Sequence, residues 1–248
     1  MKNFLILTAV VLISFSATAQ KGLYLGYENG LKFDFYNYID NQANTLKMLP
    51  LDGVWGGYLG YKLGDYTIET GFYGYYSSVP DVRFDSVTGI PEKTSGSMGS
   101  SGMNKWVIPI RFGKEFTFCS GKLYLKPEVG FVAMISRDYG PDNSLGTSGY
   151  GIEFWPGSPW YTPGRDSLRM NHYSTGKYNF GMESSLCAGV RIKKCFDIYL
   201  KGTYSTAFTT LNYSTITYTS PYKTVQATSS AQNSMIYQIG VSYYFRKE

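Results

Sequence analysis

A chain of 248 residues with one histidine, three cysteines, 24 tyrosines and 28 glycines excludes a multi-histidine metal centre and a complete disulfide framework. Its formal charge is +5, or +4 once the first 19 residues are removed with their single lysine, leaving 22 cations against 18 anions. That surplus is too mild and too dispersed for the basic stripe of a nucleic-acid-binding protein, whereas abundant Tyr and Gly suit many short strands joined by turns.

The chain opens with Met1-Lys2-Asn3, an apolar run from Phe4 to Ile13, and "SFSATAQ", in which Ala17 and Ala19 frame a cleavage site. This is the pattern of a secretory signal peptide, so residues 1–19 are set apart and residues 20–248 are read as one domain. No later run approaches the ~20 apolar residues of a spanning helix. Strands of a membrane barrel need only about ten residues of alternation each, so a membrane location stays open.

Period-two patterning then recurs along the chain. In "LYLGYENGLKFDF", Leu23, Leu25, Tyr27, Leu31, Phe33 and Phe35 share one face, opposite Tyr24, Glu28, Lys32 and Asp34. "WGGYLGYKL" and "YTIETGFYG" flank a tight Gly64-Asp65 turn. "KWVIPIRFG" aligns Trp106, Ile108, Ile110 and Phe112, and "LYLKPEVGFVAMI" aligns Leu123, Leu125, Val129, Phe131 and Ile135. "YNFGMESSLCAGVRI", "FDIYLKGTY" and the closing "SMIYQIGVSYYF" complete eight segments. Pro109 and Pro127 lack a ladder donor and are expected at bulges or irregular pairing.

Connections alternate between long (37–52, 78–104, 137–176, 206–234) and short (64–65, 117–122, 193–195). A soluble β-sandwich has no reason to place every long loop at one end. The pattern predicts an all-β fold: an eight-stranded antiparallel transmembrane β-barrel with short periplasmic turns and long extracellular loops, closed by pairing the last strand with the first. The segment "YSTITYTSPYKTVQAT" is placed to extend the last hairpin beyond the membrane.

With apolar faces toward lipid, the lumen receives Glu28, Lys32, Glu69, Arg111, Lys126, Glu128, Glu183, Arg191 and Lys201. Eight strands enclose a space that side chains can fill, so these mixed charges predict an ion-pair and tyrosine plug. Trp155, Trp160 and Tyr161, on a proline-stiffened loop, are candidates for ligand or partner contact or for packing at the rim. "TSGSMGSSG" (94–102) reads as flexible linker. All three cysteines read as free, with a Cys119–Cys195 bridge as the alternative. No P-loop or GxSxG elbow occurs.

"NHYSTGKYNFGMES" places His172 two residues before Ser174, with Glu183 downstream. It is similar to the His-x-Ser of outer-membrane lipid A 3-O-deacylases, which implies a hydrolase as an alternative; a small porin or channel is another. "WVIPIRFG", "LYLKPEVGFVAMI", the terminal "IGVSYYF" and the signal ending "ATAQ" together resemble the PorT-like outer-membrane β-barrels of Bacteroidetes-type envelopes. That resemblance implies an outer-membrane protein of a Gram-negative cell, in some members linked to secretion or assembly of surface proteins; the residues themselves are read as a non-enzymatic monomer without cofactor or metal. Its expected contacts are outer-membrane lipid including lipopolysaccharide and surface or secretion partner proteins, with no nucleic acid.

Overall fold

The computed structural model describes residues 22–41, 51–77, 105–137, 139–140, 167–192, 195–219 and 224–245. The signal segment 1–19, the stretch 94–102 and the loop aromatics Trp155, Trp160 and Tyr161 lie outside the described residues. Within them run β1 (Leu23–Asn41), β2 (Leu51–Leu63), β3 (Tyr66–Tyr75), β4 (Lys105–Lys114), β5 (Phe116–Phe118), β6 (Leu123–Ser136), β7 (Ser167–Ser174), β8 (Tyr178–Ile192), β9 (Phe196–Ala207), β10 (Asn212–Thr219) and β11 (Thr224–Tyr244).

These eleven segments form eight barrel strands. β4 and β5 share one register on β6, where Gly113 pairs with Glu128 and Phe116 with Leu125. The ladder to β6 lapses at Lys114 and Glu115, opposite Pro127 and Lys126, and Pro127 has no N–H to donate. β7 leads into β8 across Thr175–Lys177, and β9 leads into β10 across Phe208–Leu211, with both β9 and β10 antiparallel to β11. The ring runs β1, β2, β3, β4/β5, β6, β8, β9, β11 and back to β1, antiparallel throughout. The closing seam extends from Tyr24 opposite Tyr244 to Asn41 opposite Ala227.

Side chains alternate across this wall with inside and outside reversed relative to a soluble protein. Leu25, Leu31, Ile68, Phe72, Ile110, Val129, Phe131, Phe180, Leu186, Leu200, Ile239 and Val241 all face outward and exposed, while Glu28, Glu69, Arg111, Glu128, Asp197 and Lys201 are buried inside. A closed ring leaves no strand edge unpaired, and the apolar surface that encircles it belongs in hydrocarbon. The fold is a transmembrane β-barrel.

Aromatic residues mark the two edges of the apolar band. Trp106 stacks on Phe72 with ring centroids 4.8 Å apart and meets Trp55 edge-on at 6.0 Å. Toward the short turns lie Phe116 and Phe118, and Tyr243 and Phe245 in edge contact at 5.5 Å. Ten residues of tilted strand separate Trp106 from Phe116, about 25 Å of height, the thickness such girdles bracket.

Two expectations change. The proline bulges are absent as register shifts: Pro109 pairs opposite Val132 and Pro127 opposite Leu186, and the shifts fall instead between Phe35 and Tyr36 and between Tyr38 and Asp40 on the seam. Pro109 does interrupt pairing with β3 between Thr70 and Tyr73, and the Thr70 hydroxyl donates to its carbonyl at 2.9 Å. The long connections also contain strand: β1 continues to Asn41, β7 occupies part of 137–176, and β10 with upper β11 occupies much of 206–234. Above the membrane the inner face mixes Asn212 and Ser214 with Ile216 and Val225, so no regular apolar alternation announces the strands.

The upper halves of β1 and β11 join β10 and β7 in a four-stranded extension above the barrel. Below it, five inward tyrosines each sit directly across the ladder from a glycine: Tyr24 from Gly60, Tyr58 from Gly26, Tyr73 from Gly56, Tyr124 from Gly189 and Tyr199 from Gly240. Each ring lies over bare backbone, which keeps bulky tyrosines inside a narrow barrel.

Candidate functional site

The polar network of the lumen is the candidate site, and it is built in three tiers. In the middle, Arg111 of β4 donates through Nε to Glu183 of β8 and through Nη1 to the Tyr73 hydroxyl at 2.8 Å and to Glu28 at 3.4 Å. Its guanidinium also stands 4.9 Å from the centroid of the Tyr73 ring. Glu28 of β1 accepts further bonds from Tyr73 at 2.8 Å, Tyr199 at 2.9 Å, Gln238 at 3.1 Å and Lys201 at 3.3 Å.

A second pair of carboxylates lies beside these. Lys126 donates to Glu69 and sits 2.7 Å from Glu128, while Lys201 sits 2.6 Å from Glu128 and 3.9 Å from Glu69. Tyr24 donates to Glu69 at 2.7 Å, Ser185 to Glu128 at 2.8 Å, and the hydroxyls of Tyr58 and Tyr199 are 2.8 Å apart. Every one of the eight barrel strands contributes a side chain to this layer. Buried charges are tolerated because each meets at least one opposite charge, and Glu28, Glu69, Glu128, Arg111, Lys126 and Lys201 meet two or more partners.

Toward the short turns, Arg191 holds Glu115 through two contacts of 3.1 Å and Asp197 through two of 3.0 Å, and Lys62 reaches Glu115 at 2.6 Å. Arg191 also lies over the rings of Tyr124 and Tyr244. Toward the long loops, Lys32 pairs with Asp34 and lies 3.8 Å from Asp52, Ser77 donates to Asp34 at 2.9 Å, and Asn212 donates to Ser77 at 2.5 Å.

The structure therefore places Glu28, Glu69, Arg111, Lys126, Glu128, Glu183 and Lys201 together, with Lys32 above them and Arg191 below. The partners that sequence reading did not assign to the lumen are Asp34, Asp52, Lys105, Glu115 and Asp197. Asp34 and Lys105 carried the signal, since they share inward parity with Lys32 and Arg111.

His172 and Ser174 lie on β7, not in a loop, and both are buried. The Ser174 hydroxyl is 2.8 Å from that of Ser136 and donates toward the carbonyls of Leu211 at 3.0 Å and Gly176 at 3.2 Å. Glu183 is committed to Arg111 in the middle tier. The three residues thus form no nucleophile, base and acid relay. Among the described residues no group of three His, Cys, Asp or Glu is placed to hold a metal ion, and all three cysteines are free, Cys119 exposed and Cys187 buried.

No family model and no curated protein matches the chain. Among solved structures it is similar to Neisserial surface protein A, at 9% identity and a TM-score of 0.43, over 90% of this chain and 97% of that one. It is also similar to a major outer membrane protein from Thermus thermophilus, at 10% identity and a TM-score of 0.41, over 90% and 99%. The outer membrane protease OmpT from Escherichia coli follows at 8% identity and a TM-score of 0.33, over 92% and 98%. No residue role is carried over from them.

Proposed function

We propose that this chain is an outer-membrane protein whose barrel is an anchor with a plugged lumen and whose extracellular extension does the work, as a structural or binding element. The observation that carries the plug is the middle tier, to which all eight strands contribute. A water-filled channel in a barrel needs more strands than eight. The signal segment and the lipid-facing exterior support the outer membrane as its location, because closed barrels are the spanning form used there.

The contacts of such an anchor are outer-membrane lipid, including lipopolysaccharide, and surface or secretion partners of the kind that the PorT-like resemblance suggests. β11 has 21 residues, about twice what a membrane crossing requires, which leaves half of it for the outside. Refolded wild-type protein in planar lipid bilayers is expected to give no unitary current steps. Steps of porin size would overturn the plug and restore the channel reading.

Orientation is tested by chemistry at the turns. Cys119 sits at the exposed turn before β6, at the same end as the other short turns. A membrane-impermeant maleimide is expected to leave it unlabelled in intact cells and to label it once the outer membrane is opened, while Cys187 stays unreacted until unfolding. Labelling of Cys119 in intact cells would invert the topology.

A further inference from the structure

The inner wall of the extension carries hydrogen-bonding groups that the protein itself leaves unmatched. His172 of β7 and Ser214 of β10 are direct ladder partners, each 1% exposed. Neither imidazole nitrogen nor the Ser214 hydroxyl has a hydrogen-bond partner of accepted geometry among the described residues. Buried polar atoms are nearly always paired, so three orphans on neighbouring residues ask for a bound group. Lys105 lies beside them, 4% exposed. Its ammonium donates to Asn212 Oδ1 and, at 3.5 Å, to the Leu211 carbonyl, and it makes no ion pair among the described residues.

We propose that His172, Ser214 and Lys105 form a binding site for a small oxyanion, a phosphate or carboxylate group, reached from the extracellular side. The third proton of the ammonium, the Ser214 hydroxyl and an imidazole N–H are all donors, and an oxyanion supplies only acceptors. This deepens the reading of the extracellular end as the working end and rests on it.

Binding is coupled to a proton. The charged groups around the pair are Lys32 and Asp34 of β1, Asp52 of β2 and Lys105 of β4, two cations against two anions, with Tyr36 of β1 close by. Balance therefore holds only while His172 is neutral and the site is empty. Burial, and then Lys105, push the imidazole from its ordinary value down to about 3; Asp34 and the Tyr213 backbone offset this only in part. An arriving anion reverses that balance and draws one proton into the site, shared between Lys105, whose ammonium burial weakens, and His172.

His172 is the single histidine of the chain, so its imidazole nitrogens are an unambiguous NMR probe. The refolded, ¹⁵N-labelled mature chain would be titrated in a chloride buffer with inorganic phosphate and, separately, with acetate, against sodium chloride at equal ionic strength. A saturable shift toward the doubly protonated ring is expected, with affinity rising about tenfold per pH unit lowered while one proton is taken up. Response to phosphate alone assigns a phosphate site, and response to acetate a carboxylate site. Ser214→Ala and Lys105→Met, checked for folding by the gel shift between unheated and boiled samples, are each expected to weaken binding tenfold or more. No saturable shift with either anion, or an equal shift with chloride, overturns the site. The bilayer recording is made without oxyanion, so a silent titration leaves the plug standing.

Discussion

Arg111→Met is expected to lower the stability of the folded barrel by about 3–5 kcal/mol, the cost of leaving a buried ion cluster without one member. Arg111 is 1% exposed and ties Glu183 on β8 to Glu28 on β1 and Tyr73 on β3. Its removal changes the middle tier from Glu28, Glu69, Glu128 and Glu183 against Arg111, Lys126 and Lys201 to the same four carboxylates against two cations. The double variant with Glu183→Gln restores the native charge difference and is expected to recover part of the loss. Urea titration in lipid vesicles, read by the gel shift between folded and unfolded bands, measures both. A single variant as stable as wild type would show that the tier is not a connected network.

Gly240→Val is expected to cost about as much by a different route. A side-chain carbon at Gly240 would stand 2.3 Å from the Tyr199 ring, which cannot move aside without surrendering its bond to Glu28 and its contact with Tyr58. Overpacking of about 1–3 kcal/mol adds to about 1–3 kcal/mol for an acceptor that loses its donor. The control is Gly202→Val on the lipid face of β9, where the nearest atoms, on the Tyr237 ring, are 3.9 Å away, an ordinary contact. That variant is expected to match wild type within about 0.5 kcal/mol. Equal losses in the two variants would remove the tyrosine and glycine pairing as the cause.

The contrast between these glycines also marks what a linear reading can and cannot reach. Outward parity was legible wherever lipid demands apolar residues, as at Ile108, Ile110 and Phe112, because one face of the strand must match hydrocarbon. The pairing of Tyr199 with Gly240 was not, since it depends on the register between strands separated by the β10 excursion. β7 and β10 were hidden for a related reason: in "YSTITYT" the buried positions mix Ser214 with Ile216 and the other face carries Tyr213, Thr215 and Thr217, so neither face carries a hydrophobic period. Lumen residues could be assigned by parity, but their partners required the ring. Glu115 is one case, lying in the break between β4 and β5 and meeting Arg191 from two strands away.

The seam between β1 and β11 joins the first and last of the eight strands over nearly their whole length. Its partners are about as distant along the chain as two segments can be, and contacts of that kind form late. β1 therefore crosses the cell envelope with one edge waiting for a strand that is synthesised after all the others. Until that strand arrives, the greasy exterior and both open edges are available to any neighbouring chain, the condition in which barrels of this type aggregate. The lifetime of the unsealed chain in transit, more than the stability of the finished ring, is then the quantity that sets how much protein reaches the membrane.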